Sequence, residues 1–175
     1  MISILTTERL IVRRFTSADT SAFHAYRDDP DVAHWQGWDA PFAFSEAERL
    51  VAEFATSAVF EPGTWTQFAI QLCDVPDLIG DIGVRMEAEE LTAELGFTIA
   101  REHWGNGYGR EALSAMVQLL LDDIALDRVV AFTHHENIAS IASLHAAGLA
   151  PIAVDGDDLV YYRGRSGSPR PRLPQ

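Results

Sequence analysis

His103-Trp104-Gly105-Asn106-Gly107-Tyr108-Gly109-Arg110-Glu111-Ala112 places three glycines within five residues, between two runs of opposite periodicity. Before it, Glu94-Leu95-Gly96-Phe97-Thr98-Ile99 alternates as a half-buried strand does, with Leu95, Phe97 and Ile99 on one face. After it, Ala112, Leu113, Met116, Val117, Leu120 and Leu121 recur at helical spacing, which predicts a helix from about Arg110 to Asp123. Glycine accepts positive φ and lets a backbone approach a ligand closely, and the first turn of a helix offers unpaired amides at the positive end of its dipole. A strand, a glycine turn and a helix start in that order predict an anion site, with phosphate the natural occupant.

Two common phosphate loops do not fit. A nucleotide P-loop requires a lysine after its last glycine, and the chain contains no lysine. A dinucleotide fingerprint requires Gly-x-Gly-x-x-Gly at the opening of a βαβ unit, whereas Gly105, Gly107 and Gly109 give Gly-x-Gly-x-Gly after several strand-like runs.

Trp104-Gly105-Asn106-Gly107-Tyr108-Gly109 instead resembles the Gln/Arg-x-x-Gly-x-Gly/Ala pyrophosphate loop of the GNAT superfamily of N-acetyltransferases, with Trp104 in place of Gln/Arg. The Trp-Gly-x-Gly-Tyr form followed by Glu-Ala resembles its RimJ/RimL-like branch, the ribosomal-protein-alanine acetyltransferases. Glu136-Asn137-Ile138-Ala139-Ser140 through Leu144 and Gly148-Leu149 resembles a second motif of that branch. Thr7-Glu8-Arg9-Leu10 with Arg14-Phe15 resembles its first strand, continued by Tyr26 to Val32 and Gln36-Gly37-Trp38. The resemblance spans roughly residues 7 to 163.

A chain of 175 residues, 47% hydrophobic, suits one well-cored domain. We assign residues 1–163 to it and read 164–175, rich in Arg, Pro, Gly and Ser, as a disordered tail. No stretch reaches the ~18 apolar residues of a membrane helix and no signal-peptide pattern opens the chain, which predicts a cytoplasmic protein without membrane contact. Cys73, a lone cysteine ending an apolar run, reads as a buried structural thiol in a reducing compartment. The net charge is -13, and since the last thirteen residues hold four arginines and no acid, the body carries -17. That sign argues against nucleic acid as a partner and suits cationic acceptors, or simply keeps the protein in solution.

Strands are predicted at about 9–15, 66–73, 78–86, 92–100, 128–133 and 159–163, with an acidic turn at Glu87, Glu89 and Glu90. Helices are predicted at about 18–27 after Thr16, 46–57 behind a Ser45/Glu48 capping box, 110–123, and from Asn137 to Gly148. This makes a mixed α/β (α+β) domain. The resemblance implies the GNAT fold: a six- or seven-stranded, mostly antiparallel sheet with about four helices. The sheet is expected to splay where the strands beginning near Thr92 and Arg128 part.

By the resemblance, acetyl-CoA is the cosubstrate. The loop Trp104, Gly105, Asn106, Gly107, Tyr108, Gly109 and Arg110 takes its pyrophosphate, Phe97, Thr98 and Ile99 pair with its pantetheine arm, and Asn137 and Ser140 add side-chain contacts. An acceptor amine is protonated at neutral pH, so a base or water chain must deprotonate it. Glu94 is either that base or a solvated edge carboxylate. His134 and His135 end a strand, and alternation sends them to opposite faces, with His134 a candidate for acceptor binding. Trp35, Trp38 and Phe42 form either an acceptor wall or a small satellite core. Leu144 takes the register where many relatives carry a thiol-protonating tyrosine, so either Ser143 or Ser140 donates a hydrogen bond to the leaving group or the thiolate leaves without help. No His, Asp or Cys cluster has metal-ligand spacing, and no metal is expected. The expected partner is an amine, small-molecule or protein N-terminus, with a homodimer left open. A non-catalytic acyl-CoA sensor is the alternative reading.

Overall fold

The computed structural model describes residues 3–87 and 91–165. In chain order its elements are β1 (Ser3–Thr6), β2 (Leu10–Arg13), α1 (Thr20–Arg27), α2 (Pro30–Ala33), α3 (Phe44–Thr56), β3 (Trp65–Leu72), β4 (Leu78–Met86) and β5 (Thr92–Ile99). Then follow α4 (Tyr108–Gln118), β6 (Arg128–His134), α5 (Ile138–Ala146), β7 (Ala150–Asp155) and β8 (Asp158–Gly164). They build one eight-stranded sheet in the order β1-β2-β3-β4-β5-β6-β8-β7. Every pairing is antiparallel except β5 with β6, which is parallel and runs only from Thr92↔Arg128 to Leu95↔Ala131. Past Leu95 the two strands part, and the sheet splays as a GNAT fold does.

Among the described residues the sheet has eight strands, not six or seven, and there are five α-helices. The additions are β1, a four-residue edge strand too short to show a period, and β7, which pairs with β8 around the Asp155–Asp158 turn. The one-turn α2 starts at Asp29, whose side chain accepts from the Asp31 amide, with Pro30 in its first position. The start of α3 also differs: Ala43 is its N-cap with no side-chain bond, so Ser45 and Glu48 form no capping box. α4 widens into a π-helical turn over Leu119–Asp123, where the Ile124 amide bonds the Leu119 carbonyl and the adjacent Leu120 and Leu121 are both buried. The final strand runs through Gly164, paired with Arg128, and the Arg165 amide donates to the Asp127 carbonyl. Of the expected tail, 166–175 lie outside the described residues, as do Glu89 and Glu90 of the acidic turn. Cys73 is exposed, not buried, because β3 has already ended at Leu72.

Two cores flank the sheet. Leu113, Met116, Val117 and Leu120 of α4 pack with Leu95, Ile99, Val129 and Leu144 on one face. A fully buried side chain of this size contributes about 1.5–3 kcal/mol, so α4 is firmly seated where it meets the splay. On the other face Phe15, Phe23, Tyr26 and Val51 pack against Ala69, with Trp38 and Phe42 at the margin. There the buried Arg13 makes a two-pronged pair with Asp19 at 2.7 and 2.8 Å and donates to Gln71. Burial by itself would raise the Asp19 carboxyl, but the bonds from Arg13 and Thr16 hold it below its ordinary range. Among the described residues no helix is long and apolar enough to cross a membrane.

Candidate active site

The glycine turn folds as its sequence requires. Gly105 and Gly107 both have φ near +78°, the left-handed region, and Gly107 is the N-cap of α4. Gly109 meets a different demand: a Cβ there would lie 2.9 Å from the Phe97 ring and 3.3 Å from Ile99, so only glycine lets the first turn of α4 sit on β5. Asn106 braces the turn, donating from Nδ2 to the carbonyls of His103 and Trp104.

A cation that the sequence reading missed stands at this turn. Arg9, in the β1–β2 connection, donates to the Asn106 carbonyl at 3.1 Å, and its guanidinium would lie 3.8 Å from a Cβ at Gly107, with that of Arg110 at 3.4 Å. It is held by Glu111, which also accepts from Thr7 and the Arg9 amide. Burial tends to raise the Glu111 carboxyl, yet the bonds from Thr7 and Arg9 bring it below the ordinary range, so it stays charged beside Arg9. No spacing rule links position 9 to 107, because the sheet alone brings them together. Arg9→Met should weaken coenzyme A binding about two- to fivefold at low salt and less at high salt, because the guanidinium is partly exposed. Equal titration curves at low salt would exclude Arg9 from the anion site.

The turn opens into a cleft that follows the splay. Phe97, Thr98 and Ile99 line one wall, and Ala131 to Thr133 with Asn137, Ser140, Ser143 and Leu144 line the other. Trp104, Gly105, Gly107, Tyr108, Gly109 and Arg110 bring the glycine turn into the lining, and Val32, Trp35 and Gln36 complete it. Two carbonyls of β5 beyond its last pairing with β6 are taken by side chains: Trp104 Nε1 donates to Ile99 O at 2.7 Å and Gln36 Nε2 to Phe97 O at 3.4 Å. The residue that departs from the Gln/Arg consensus thus ties the loop to the strand.

The other candidates fall inside and outside this cleft. Asn137 caps α5, its Oδ1 accepting from the Ser140 amide at 3.1 Å. Ser143 donates its hydroxyl to the Ala139 carbonyl at 2.9 Å, so that proton is engaged within the helix, and the neighbouring Leu144 is buried. Trp38 stacks on Arg27, 3.8 Å from guanidinium carbon to ring centre, and donates to the Arg27 carbonyl, outside the lining of the cleft. His134 does not line it either, but its ring lies 6.0 Å from that of Trp35. His134 and His135 do not point to opposite faces: β6 ends at His134, the chain turns, and the two rings stack at 4.5 Å.

Glu94 lies on β5 two residues from Gly96, which does line the cleft. Its carboxylate accepts from Arg85 at 2.7 Å across the β4–β5 pair, and Arg85 also reaches Glu87 at 3.2 Å. Burial pushes the Glu94 carboxyl above its ordinary range, the Arg85 guanidinium opposes that rise and Glu87 adds to it. Among the described residues no group of three or more His, Cys, Asp or Glu could hold a metal ion.

Comparison with known proteins gives the same architecture a family. Residues 9–150 match the acetyltransferase (GNAT) domain. The chain is 30% identical over 170 residues to the uncharacterized N-acetyltransferase YoaA of Bacillus subtilis, covering 97% of this chain and 93% of that one. It is 28% identical over 133 residues to the FsC-acetyl coenzyme A-N(2)-transacetylase of Aspergillus fumigatus, 71% of this chain and 55% of the relative. The fold is shared, at 17% identity and a TM-score of 0.76, with the spermidine N-acetyltransferase of Vibrio cholerae in complex with CoA and spermine, over 91% of this chain and 98% of that one. Domain match, near full-length relative and splayed sheet agree: the chain is an acetyltransferase of the GNAT family.

Proposed function

We propose that this acetyltransferase uses acetyl-CoA as donor and a primary amine as acceptor, with direct transfer while both are bound. The observation that carries the reading is the splay itself, a cleft lined in part by a turn with two left-handed glycines at the start of α4, flanked by the Arg9 and Arg110 guanidiniums. Those groups suit a pyrophosphate, and the strand edge from Phe97 to Ile99 suits an amide-bearing arm. The fungal relative's name also specifies acetyl coenzyme A. When bound, that cosubstrate supplies an activated thioester.

The chain's own residues have three tasks. The turn and Arg110 orient the donor from its anionic end. Backbone donors of β5 in the splay, among Phe97, Thr98 and Ile99, are suited to polarise an acyl carbonyl. Glu94, two residues from Gly96 on the same face of β5 though not itself in the cleft lining, is our candidate to receive the acceptor's proton through water. For the leaving thiolate, the Ser143 hydroxyl would first have to give up its bond to Ala139, so departure without a general acid is the simpler route.

We assign the chain to the RimJ/RimL-like branch on its Trp-Gly-x-Gly-Tyr turn and Glu136-Asn137 motif, with a cytoplasmic location and either a protein N-terminus or a small amine as acceptor. The test is a thiol-release screen of amines and N-terminal peptides with mass spectrometry of the products. One acetylated product per thiol released is expected for at least one class. Saturable coenzyme binding without thiol release across a broad panel would instead favour an acyl-CoA sensor.

A further inference from the structure

The segment from Pro30 to Trp38 is tied to the β5 side of the cleft and approaches the end of β6. Asp31 pairs with Arg101, just beyond β5, at 2.8 Å, and Gln36 donates to the Phe97 carbonyl. The Trp35 ring also lies 6.0 Å from that of His134, at the end of β6 just outside the cleft lining. Val32, Trp35 and Gln36 all line the cleft, so this short helix and its exit border the splay.

Phe97 stands past Leu95, where β5 last pairs with β6, and since Thr92 and Ala100 are on the alternation that bonds the β4 side, its carbonyl faces the splay without a donor from either strand. A partly buried carbonyl needs one, and Gln36 provides it from a different part of the chain. At 3.4 Å this bond is near the limit of useful length, whereas the Trp104 bond to Ile99 two residues on is 2.7 Å. Of the two side chains on this strand edge, Gln36 is the one that yields. An arm laid along β5 presents amide N–H groups of its own, and a well-aligned amide donor outcompetes a stretched carboxamide.

We propose that Gln36 is a positioning residue that couples the donor and acceptor halves of the site. Its carboxamide holds the Phe97 carbonyl until an amide of the acetyl-CoA arm takes that carbonyl over, and its release loosens the segment around Trp35 for the acceptor. The proposal rests on the donor assignment made above. It has an unusual sign, because deleting the Gln36 bond removes a competitor and strengthens coenzyme binding.

The probe is coenzyme A itself, titrated by calorimetry and followed by amide hydrogen exchange. Gln36→Met, which keeps the length and loses the donor, should bind about two- to tenfold more tightly than wild type, one net hydrogen bond's worth of competition. Gln36→Asn, too short to reach Phe97, should do the same. In the wild type, coenzyme A should slow exchange across 97–110 and speed it at 34–38, where the Trp35 and Gln36 amides bond Val32 and Ala33. In Gln36→Met the 34–38 amides should exchange fast from the start and not respond. Gln36 is half-exposed, and matched melting temperatures would show both variants folded. Equal or weaker binding by the variants, or unchanged or slower exchange at 34–38 on adding coenzyme A to the wild type, overturns the role of Gln36. Absence of any coenzyme binding by the wild type overturns the donor assignment as well, which separates the two failures.

Discussion

Replacing Glu94 with glutamine is expected to lower the acetyl-transfer rate by roughly ten- to ten-thousandfold, with coenzyme A affinity close to wild type. The Cα of Glu94 is about 6.6 Å along β5 from that of Gly96, two residues at strand rise on the same face, so the proton route we propose runs through water rather than a direct bond. Burial raises the Glu94 pKa above the ordinary range, which makes it a stronger base than an exposed glutamate, and the Arg85 guanidinium opposes that rise. The sign follows. In the wild type kcat/KM should fall as pH drops through the raised Glu94 pKa, because protonation removes the base. Glu94→Gln should lack that acidic limb and recover as pH rises towards the acceptor's own pKa, where solvent supplies neutral amine. A variant with wild-type rate and pH profile on an authentic acceptor would leave Glu94 as no more than the partner of Arg85.

Gly107→Val should weaken coenzyme A binding ten- to a hundredfold while the protein stays folded. At φ 78° and ψ 10° an L-residue carries a penalty of about 1–2 kcal/mol, more when β-branched, so the turn relaxes away from the left-handed region and its amides no longer converge. A tenfold loss of affinity corresponds to about 1.4 kcal/mol, which this strain covers even before the side chain crowds Arg110. Gly156→Val is the control: it imposes similar strain at φ 60° in the β7–β8 turn and should leave the affinity alone. Unchanged coenzyme A titrations for folded Gly107→Val would remove the turn from the binding site.

Sequence periodicity located β3, β4, β5, α4 and β6 to within one or two residues at most boundaries, because each carries a long apolar pattern facing a core. It missed β1, β7 and α2, which are four to six residues long and take their order from neighbours rather than from any pattern of their own. The glycine turn was legible because its conformation demands glycine. Arg9 and Gln36 were not, since what marks them is distance: each reaches a residue far along the chain, Asn106 and Phe97, and nothing local distinguishes an arginine or glutamine that will do so. Trp38 failed differently. Its aromaticity suited an acceptor wall or a satellite core equally, and the stack on Arg27 shows which half of its surface is spent on packing.

Among the described residues the strand pairing between the five-stranded block β1–β5 and the three-stranded block of β6, β8 and β7 covers four positions, Thr92↔Arg128 to Leu95↔Ala131, with the α4 core packed across both. The molecule therefore has a seam, and above the paired stretch nothing in the backbone stitches it. An extended ligand in the notch acts as a partial ninth strand, so part of its binding energy becomes cohesion between the blocks, by RT ln(1 + [L]/Kd). Each departure of that ligand reopens the seam, which makes the resting protein the mechanically weaker form and ties its durability to the supply of whatever fills the gap.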